Sequence, residues 1–356
     1  MNRIRNRLLA LIFLLAACSG TKAWAFDDDH KVNLNGTTLH FRVRGADKAN
    51  PYLVILHGGP GFSSHMFYSW GTSLEKTVNV VYLDQRGCGE SQRLKFANLF
   101  EPKPEETKDY TIANLVKDIE AVRQYLKVDR WFVLGHSWGG MLGLEYVSAH
   151  PESVAGYVHM DGLLSVPMVS ASICDSAEVK FTPLLQSDDM AVKIKADTIL
   201  KAAAQIRAIK PDNPQRLTTA YQLALGPAGL YFAGDQQAAF MAFRKRIQDA
   251  VQPYSIAPEA MARASEPTSA LIINDAYLMR DDQPLLAKIT VPTLIINGKQ
   301  DGIIPPKTAE MVHKGIQKSE LLVLDNCGHF PFAEQPEKTT TAILDFFKQH
   351  SVKPVN

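Results

Sequence analysis

Trp131-Phe132-Val133-Leu134-Gly135-His136-Ser137-Trp138-Gly139-Gly140 is the stretch whose reading decides the fold. Its first four residues are apolar without alternation, the pattern of a strand covered on both faces. Two glycines flanking Ser137 then permit a sharp turn, and from Trp138 to Ala149 the chain reads as a helix. A Gly-x-Ser-x-Gly spacing arises by chance in roughly one protein in ten of this length. At a strand-to-helix turn it has physical meaning, because the turn lifts the serine hydroxyl above the sheet edge. Ser137 is the candidate nucleophile. The plainer use of such a serine is to cap the helix that follows.

Working outward, residues 52–56, 78–83, 154–160, 293–296 and 321–324 are further short apolar runs. Each suits a strand buried on both sides. Residues 31–34 and 37–44 read as a hairpin turning at Asn35-Gly36, where both residues tolerate positive φ. Thr111 can cap a helix whose Ile112, Leu115, Val116, Ile119, Val122 and Leu126 recur on one face. A last helix is expected near 339–350. Strands alternating with helices predict an α/β fold with a mostly parallel sheet whose ligand site lies beyond the strands' carboxyl ends. Between 165 and 284 the strand signals stop, and helical spacing is broken at Pro211, Pro214, Gly226, Pro227 and Pro253. The expected division is therefore a signal segment at 1–25, a sheet domain at 26–164 and 285–356, and an inserted helical cap at 165–284.

A hydroxyl at neutral pH needs a base to take its proton and a carboxylate to hold that base. In this arrangement the chain order is serine, acid, histidine. Among His150, His159, His313, His329 and His350, only His329 lies in a loop directly past a late apolar strand, so it is the expected base. Asp301, just past the strand at 293–296, is the expected acid, with Asp161 past 154–160 in reserve. Asp301 could also serve simply as a turn residue before Gly302. An oxyanion needs main-chain donors. The His57-Gly58-Gly59-Pro60-Gly61 loop offers the Gly59 amide, to pair with that of Trp138, since Pro60 has no N–H. His57, His65 and His136 sit too early for the chain order and read as loop-packing residues, and Arg86, Cys88 and Ser91 as structural ones.

With 356 residues, 46% of them apolar, the chain can bury a large core. Its 38 basic and 37 acidic residues leave a net charge of +1 and no footprint for nucleic acid. A short peptide or a small ester or amide is the expected partner. Arg3, Arg5 and Arg7 precede a short apolar run and Ala23-Trp24-Ala25, the pattern of an export signal cleaved before Phe26. Leu15-Ala16-Ala17-Cys18 offers the alternative of a bacterial lipoprotein anchored through Cys18. Export to the periplasm or beyond is expected either way. The four cysteines form no disulfide framework, although one bridge is open among Cys88, Cys174 and Cys327. No CxxC or HExxH spacing occurs, so no metal and no cofactor is expected from motifs.

Taken together, His57-Gly58-Gly59-Pro60-Gly61, Asp84-Gln85-Arg86-Gly87-Cys88-Gly89-Glu90-Ser91, Gly135-His136-Ser137-Trp138-Gly139-Gly140 and Gly328-His329 resemble the prolyl aminopeptidase (proline iminopeptidase) family of α/β-hydrolases. The likeness spans residues 32–162 and 289–350. It implies an α/β-hydrolase fold and release of an N-terminal residue, often proline, from short peptides. It also implies that the cap sizes the substrate and binds its free amine through acidic side chains. Glu178, Asp235, Glu259 and Glu266 are candidates for that role by region, and solvated surface charge is the plainer use of each. His136 and Gly140 depart from the Gly and Ser that many members carry, in a wording shared with esterases. Two alternatives therefore stay open: a carboxylic-ester or small-amide hydrolase using the same residues, and a non-catalytic ligand-binding relative.

Overall fold

Alternation within single strands shows how the sheet is buried. On β3 (Tyr52–Leu56), Leu53 and Ile55 join one apolar cluster while Val54 and Leu56 join another. Each cluster covers one face, as successive side chains point to opposite sides. The computed structural model describes residues 25–96, 103–254, 256 and 265–351. Residues 1–24, which hold nearly all of the expected signal segment with Cys18, and Glu259 lie outside them. Eight strands form one sheet in the order β1-β2-β4-β3-β5-β6-β7-β8. The others are β1 (Phe26–Leu34), β2 (Thr37–Gly45), β4 (Asn79–Asp84), β5 (Trp131–His136), β6 (Val154–Met160), β7 (Thr293–Gly298) and β8 (Ser319–Leu324). From β4 to β8 every neighbouring pair is parallel, while β1 and β2 are antiparallel.

The strands extend beyond the apolar runs. β1 begins at Phe26 rather than 31, because the acidic residues Asp27 and Asp29 lie opposite Arg44 and Arg42 on β2. Arg42 reaches Asp27 at 2.8 Å and Asp29 at 3.1 Å, so an edge strand forms where hydrophobicity alone predicts none. β5 and β7 each run two residues further than their apolar cores, which brings His136 and Gly298 to the rim.

Helix α1 (Ile112–Tyr125) buries Ile112, Leu115, Val116, Ile119 and Val122. Its Thr111 cap accepts from the Asn114 N–H at 3.1 Å. α2 (Trp138–Ala149) follows β5 directly. Between β6 and β7 come α3 (Val166–Phe181), α4 (Met190–Ala208), α5 (Pro214–Leu225), α6 (Gln236–Val251) and α7 (Ser265–Asn274). The expected breakers act as such. Pro214 opens α5, and Gly226 follows its end. Ile173, Ala196, Ile199 and Leu217 from these helices belong to the same apolar cluster as Val54 and Val133 of the sheet. α8 (Pro306–Gly315) and α9 (Pro336–His350) complete the fold. Among the described residues no helix is long and apolar enough to cross a membrane. Cys88, Cys174 and Cys327 are buried free thiols, so the bridge left open by sequence is not made.

Candidate active site

Ser137 sits between β5 and α2 with φ 56° and ψ −121°, a conformation that costs a non-glycine residue about 1–3 kcal/mol. Its side chain does not cap α2. The neighbouring glycines are required by close approach. A Cβ on Gly135 would lie 2.2 Å from the Gly139 carbonyl oxygen, and one on Gly139 would lie 2.0 Å from that of Leu56. The turn is fastened by backbone bonds: the Ser137 N–H donates to Met160 O at 3.2 Å, and its carbonyl accepts from Gly140 and Leu163, each at 2.8 Å.

His329 and Asp301, which follow β8 and β7, are buried and in contact. Nδ1 of His329 lies 2.7 Å from Oδ2 of Asp301. The other carboxylate oxygen accepts from the N–H groups of Ile303 at 2.8 Å and Ile304 at 3.0 Å. An imidazole that donates through Nδ1 keeps Nε2 free to take a proton. The His329 backbone is held on both sides. Its N–H donates to Tyr231 O at 2.6 Å, and its carbonyl oxygen accepts from Nε2 of His136, the residue before Ser137, at 2.8 Å. Glu334 secures the rest of the loop, accepting from the N–H groups of Gly328 at 3.0 Å, Phe330 at 3.2 Å and Ala233 at 2.8 Å.

Asp161, the reserve acid, stands beside this pair. Its Oδ1 accepts from the Gly298 N–H at 2.9 Å, and its Oδ2 is buried without a hydrogen-bond partner. Burial, and then the neighbouring charge of Asp301, push its carboxyl well above the usual range. Donor atoms of Asp161, Asp301 and His329 lie within 4.8 Å of one another, but the imidazole Nδ1 is taken by Asp301.

The 57–61 loop lies against the serine. A Cβ on Gly58 would come 3.1 Å from that of Ser137, and Gly59 has φ 122°. Gln85 joins this loop to Trp138. Its Nε2 donates to His57 O at 2.8 Å, and its Oε1 accepts from the Trp138 indole at 2.9 Å. The two backbone amides expected to face an oxyanion thus belong to segments linked by one carboxamide. Neither Gln85 nor Glu334 stood out in the sequence; Gln85 lay inside a quoted motif, and Glu334 gave no signal.

The three nominated cap carboxylates among the described residues fare differently. Glu178 pairs with Arg207 at 2.9 Å. Asp235 caps α6 by accepting from Gln237 N and Ala238 N at 3.0 and 3.1 Å. Both therefore do structural work. Glu266 is partly buried on α7. It lies near enough to Cys88 to act on its thiol, which burial above all, with Asp84 and Glu266 adding, pushes up to about 12. Aromatic rings wall the site: Tyr277 packs edge-on to Trp138 at 5.4 Å, and Tyr231 to His329 at 5.5 Å. A groove of about 820 Å³ between α3 and the loop after β7 is lined by Asp301 but by neither Ser137 nor His329.

Comparison with known proteins places these features in context. The alpha/beta hydrolase fold family matches residues 51–336. A proline iminopeptidase of Saccharolobus solfataricus is 27% identical over 321 residues, covering 88% of this chain and 90% of that one. The crystal structure of a proline iminopeptidase from Mycobacterium smegmatis superposes with a TM-score of 0.66 at 22% identity, covering 91% of this chain and 98% of that one. An esterase from Rhodococcus sp. superposes with a TM-score of 0.58 at 21% identity, covering 91% and 99%.

Proposed function

Because the chain belongs to the alpha/beta hydrolase fold family and is a hydrolase similar to proline iminopeptidases, we propose that it is an exported serine aminopeptidase releasing N-terminal residues, proline among them, from short peptides. In this reading Ser137 Oγ attacks the carbonyl carbon of the first residue while Nε2 of His329 takes the hydroxyl proton. Asp301 holds the imidazole in its Nδ1–H form and stabilises the imidazolium. The N–H groups of Gly59 and Trp138 receive the oxyanion. His329 then gives its proton to the leaving amine, the C–N bond breaks, and water hydrolyses the acyl-serine by the reverse relay. The helices between β6 and β7 act as a cap that limits substrate length.

The observation that carries this reading is the 2.7 Å contact between His329 and Asp301 on a loop bonded to the residue preceding Ser137. The test is labelling with a fluorophosphonate, lost in Ser137→Ala, followed by turnover of prolyl and alanyl arylamides. No labelling of the wild type would remove the serine mechanism and leave the non-catalytic relative.

One observation favours a second reading. Glu178 and Asp235 are engaged elsewhere, so among the described residues Glu266, close to Cys88, is the nominated carboxylate that remains. A buried ammonium without a counter-charge is costly. A carboxylic-ester or small-amide substrate has no such need, and ester turnover without arylamide turnover would select it. Export is tested by the intact mass of the processed chain, which distinguishes a start at Phe26 from an acylated Cys18.

A further inference from the structure

Asp161 directly follows Met160, whose carbonyl oxygen accepts the Ser137 N–H, so it stands where the serine turn is fastened to the sheet. Its φ of 40° is left-handed, a region that aspartate and asparagine enter more readily than other side chains. Both its backbone and its side chain are tied to β7. The Asp161 N–H donates to Ile296 O at 2.8 Å, and Oδ1 accepts from Gly298 N at 2.9 Å. The residue is 0% exposed and Asp301 is 3% exposed, and their carboxyls reach within 4.8 Å of each other.

Two carboxyl groups this close and out of water do not both ionise, so one of them keeps a proton. Counting donors says which. Asp301 receives three N–H groups, from His329 Nδ1, Ile303 and Ile304. Asp161 receives one, and its Oδ2 is buried without a partner. Each N–H that a carboxylate accepts stabilises its charged form, which assigns the charge to Asp301 and the proton to Asp161. Given the roles of Ser137, His329 and Asp301 proposed above, we propose that Asp161 is a positioning residue that, protonated on Oδ2, donates a hydrogen bond to the Asp301 carboxylate and holds it against His329.

The surrounding groups favour the same assignment. Burial first, then the charge of Asp301, a side-chain hydrogen bond with it and the more distant charge of Glu334 all raise the Asp161 carboxyl, against one bond from Gly298 that lowers it. Burial pushes up the Cys327 thiol and the Tyr221 and Tyr231 phenols nearby, so none of these three brings a competing charge near neutral pH. Glu334 spends its oxygens on the N–H groups of Gly328, Phe330 and Ala233. A neutral donor is also the useful form. It steadies Asp301 without a second negative charge, which would keep His329 protonated to higher pH and cost it its role as base. Asparagine imitates this state, with an oxygen for Gly298 and an N–H for Asp301.

The test compares the full protein with Asp161→Asn and Asp161→Ala. The infrared difference between wild type and Asp161→Asn near neutral pH should contain the carbonyl stretch of a protonated carboxyl, and its absence overturns the proposal. The rate of fluorophosphonate labelling against pH then follows His329 as base without reference to any substrate. Asp161→Asn should leave the acid limb of that profile in place. Removing a charge instead of a neutral donor would carry the limb down by about one unit or more, and that shift also overturns the proposal. Asp161→Ala offers no donor, so Asp301 holds the imidazolium more tightly and the limb should rise by about half a unit. A limb that stays put in folded Asp161→Ala overturns the positioning role. If Asp161→Ala does not fold, the infrared band and the Asp161→Asn profile still decide. A wild type that takes no label removes the serine mechanism and the positioning role with it, while the infrared band separately reports the proton on Asp161.

Discussion

Two carboxyl groups beside one imidazole invite a division of labour, and substitution separates them. Asp301 accepts the Nδ1–H of His329, whereas Asp161 makes its bond to the Gly298 amide. Asp301→Asn should lower kcat by about 10⁴, through loss of the correct tautomer. Asp161→Asn retains an oxygen acceptor for Gly298 and should change arylamide turnover only a few-fold. Ser137→Ala should cost about a thousandfold or more in turnover with melting behaviour unchanged. The raised carboxyl of Asp161 has its own signature. Its folded pKa lies above the unfolded value of about 3.9, so above that pH the native state binds more protons than the unfolded chain. Stability contributed by this group therefore falls as pH rises from about 4 through its folded pKa. Thermal melts of Asp161→Asn should show a shallower decline over that range, and an identical slope would remove Asp161 as its source.

Elements are held by bonds whose loss can be sized. Thr111→Ala removes the cap of α1 and should destabilise the protein by about 1 kcal/mol in denaturant melts. Arg86 makes a two-pronged contact with Asp118 of α1, at 2.8 and 2.7 Å, and Asn35 of the hairpin turn donates to the same carboxylate at 2.8 Å. Asp118→Ala strands the buried guanidinium and should cost about 3–5 kcal/mol. This level was largely legible in the sequence. β3, β4 and β6 appear as apolar runs because both their faces are covered, and the serine turn is legible because only glycines fit around it. β1 was legible only in part, because Asp27 and Asp29 are paired through Arg42 rather than through apolar burial. Gln85 and Glu334 were not legible as positioning residues, since their partners lie far off in the chain and no local spacing records them. The cap carboxylates could be nominated by region alone; the structure uses two of them for a salt bridge and a helix cap.

For the molecule as a whole, continuity of the core decides how it comes apart. Leu217, Ile199 and Ile173 of the inserted helices share one cluster with Val133 and Ile295 of the sheet. Helices that bury their apolar face against the sheet's own core lose it when the sheet opens. Calorimetry should therefore show one unfolding transition, coincident with loss of near-ultraviolet dichroism, and two separated transitions would contradict a shared core.

The stretch at 230–233 is stitched to both loops below it. Leu230 O accepts from Gly302 N at 3.0 Å, Tyr231 O from His329 N, and Ala233 N donates to Glu334. A Cβ on Gly328 would fall 2.4 Å from Tyr231 O, so the strands of chain here have no slack. A cover sewn down beside the base is not a trapdoor. On the function proposed above, a bulky peptide would meet a fixed rim on that side rather than a closing motion.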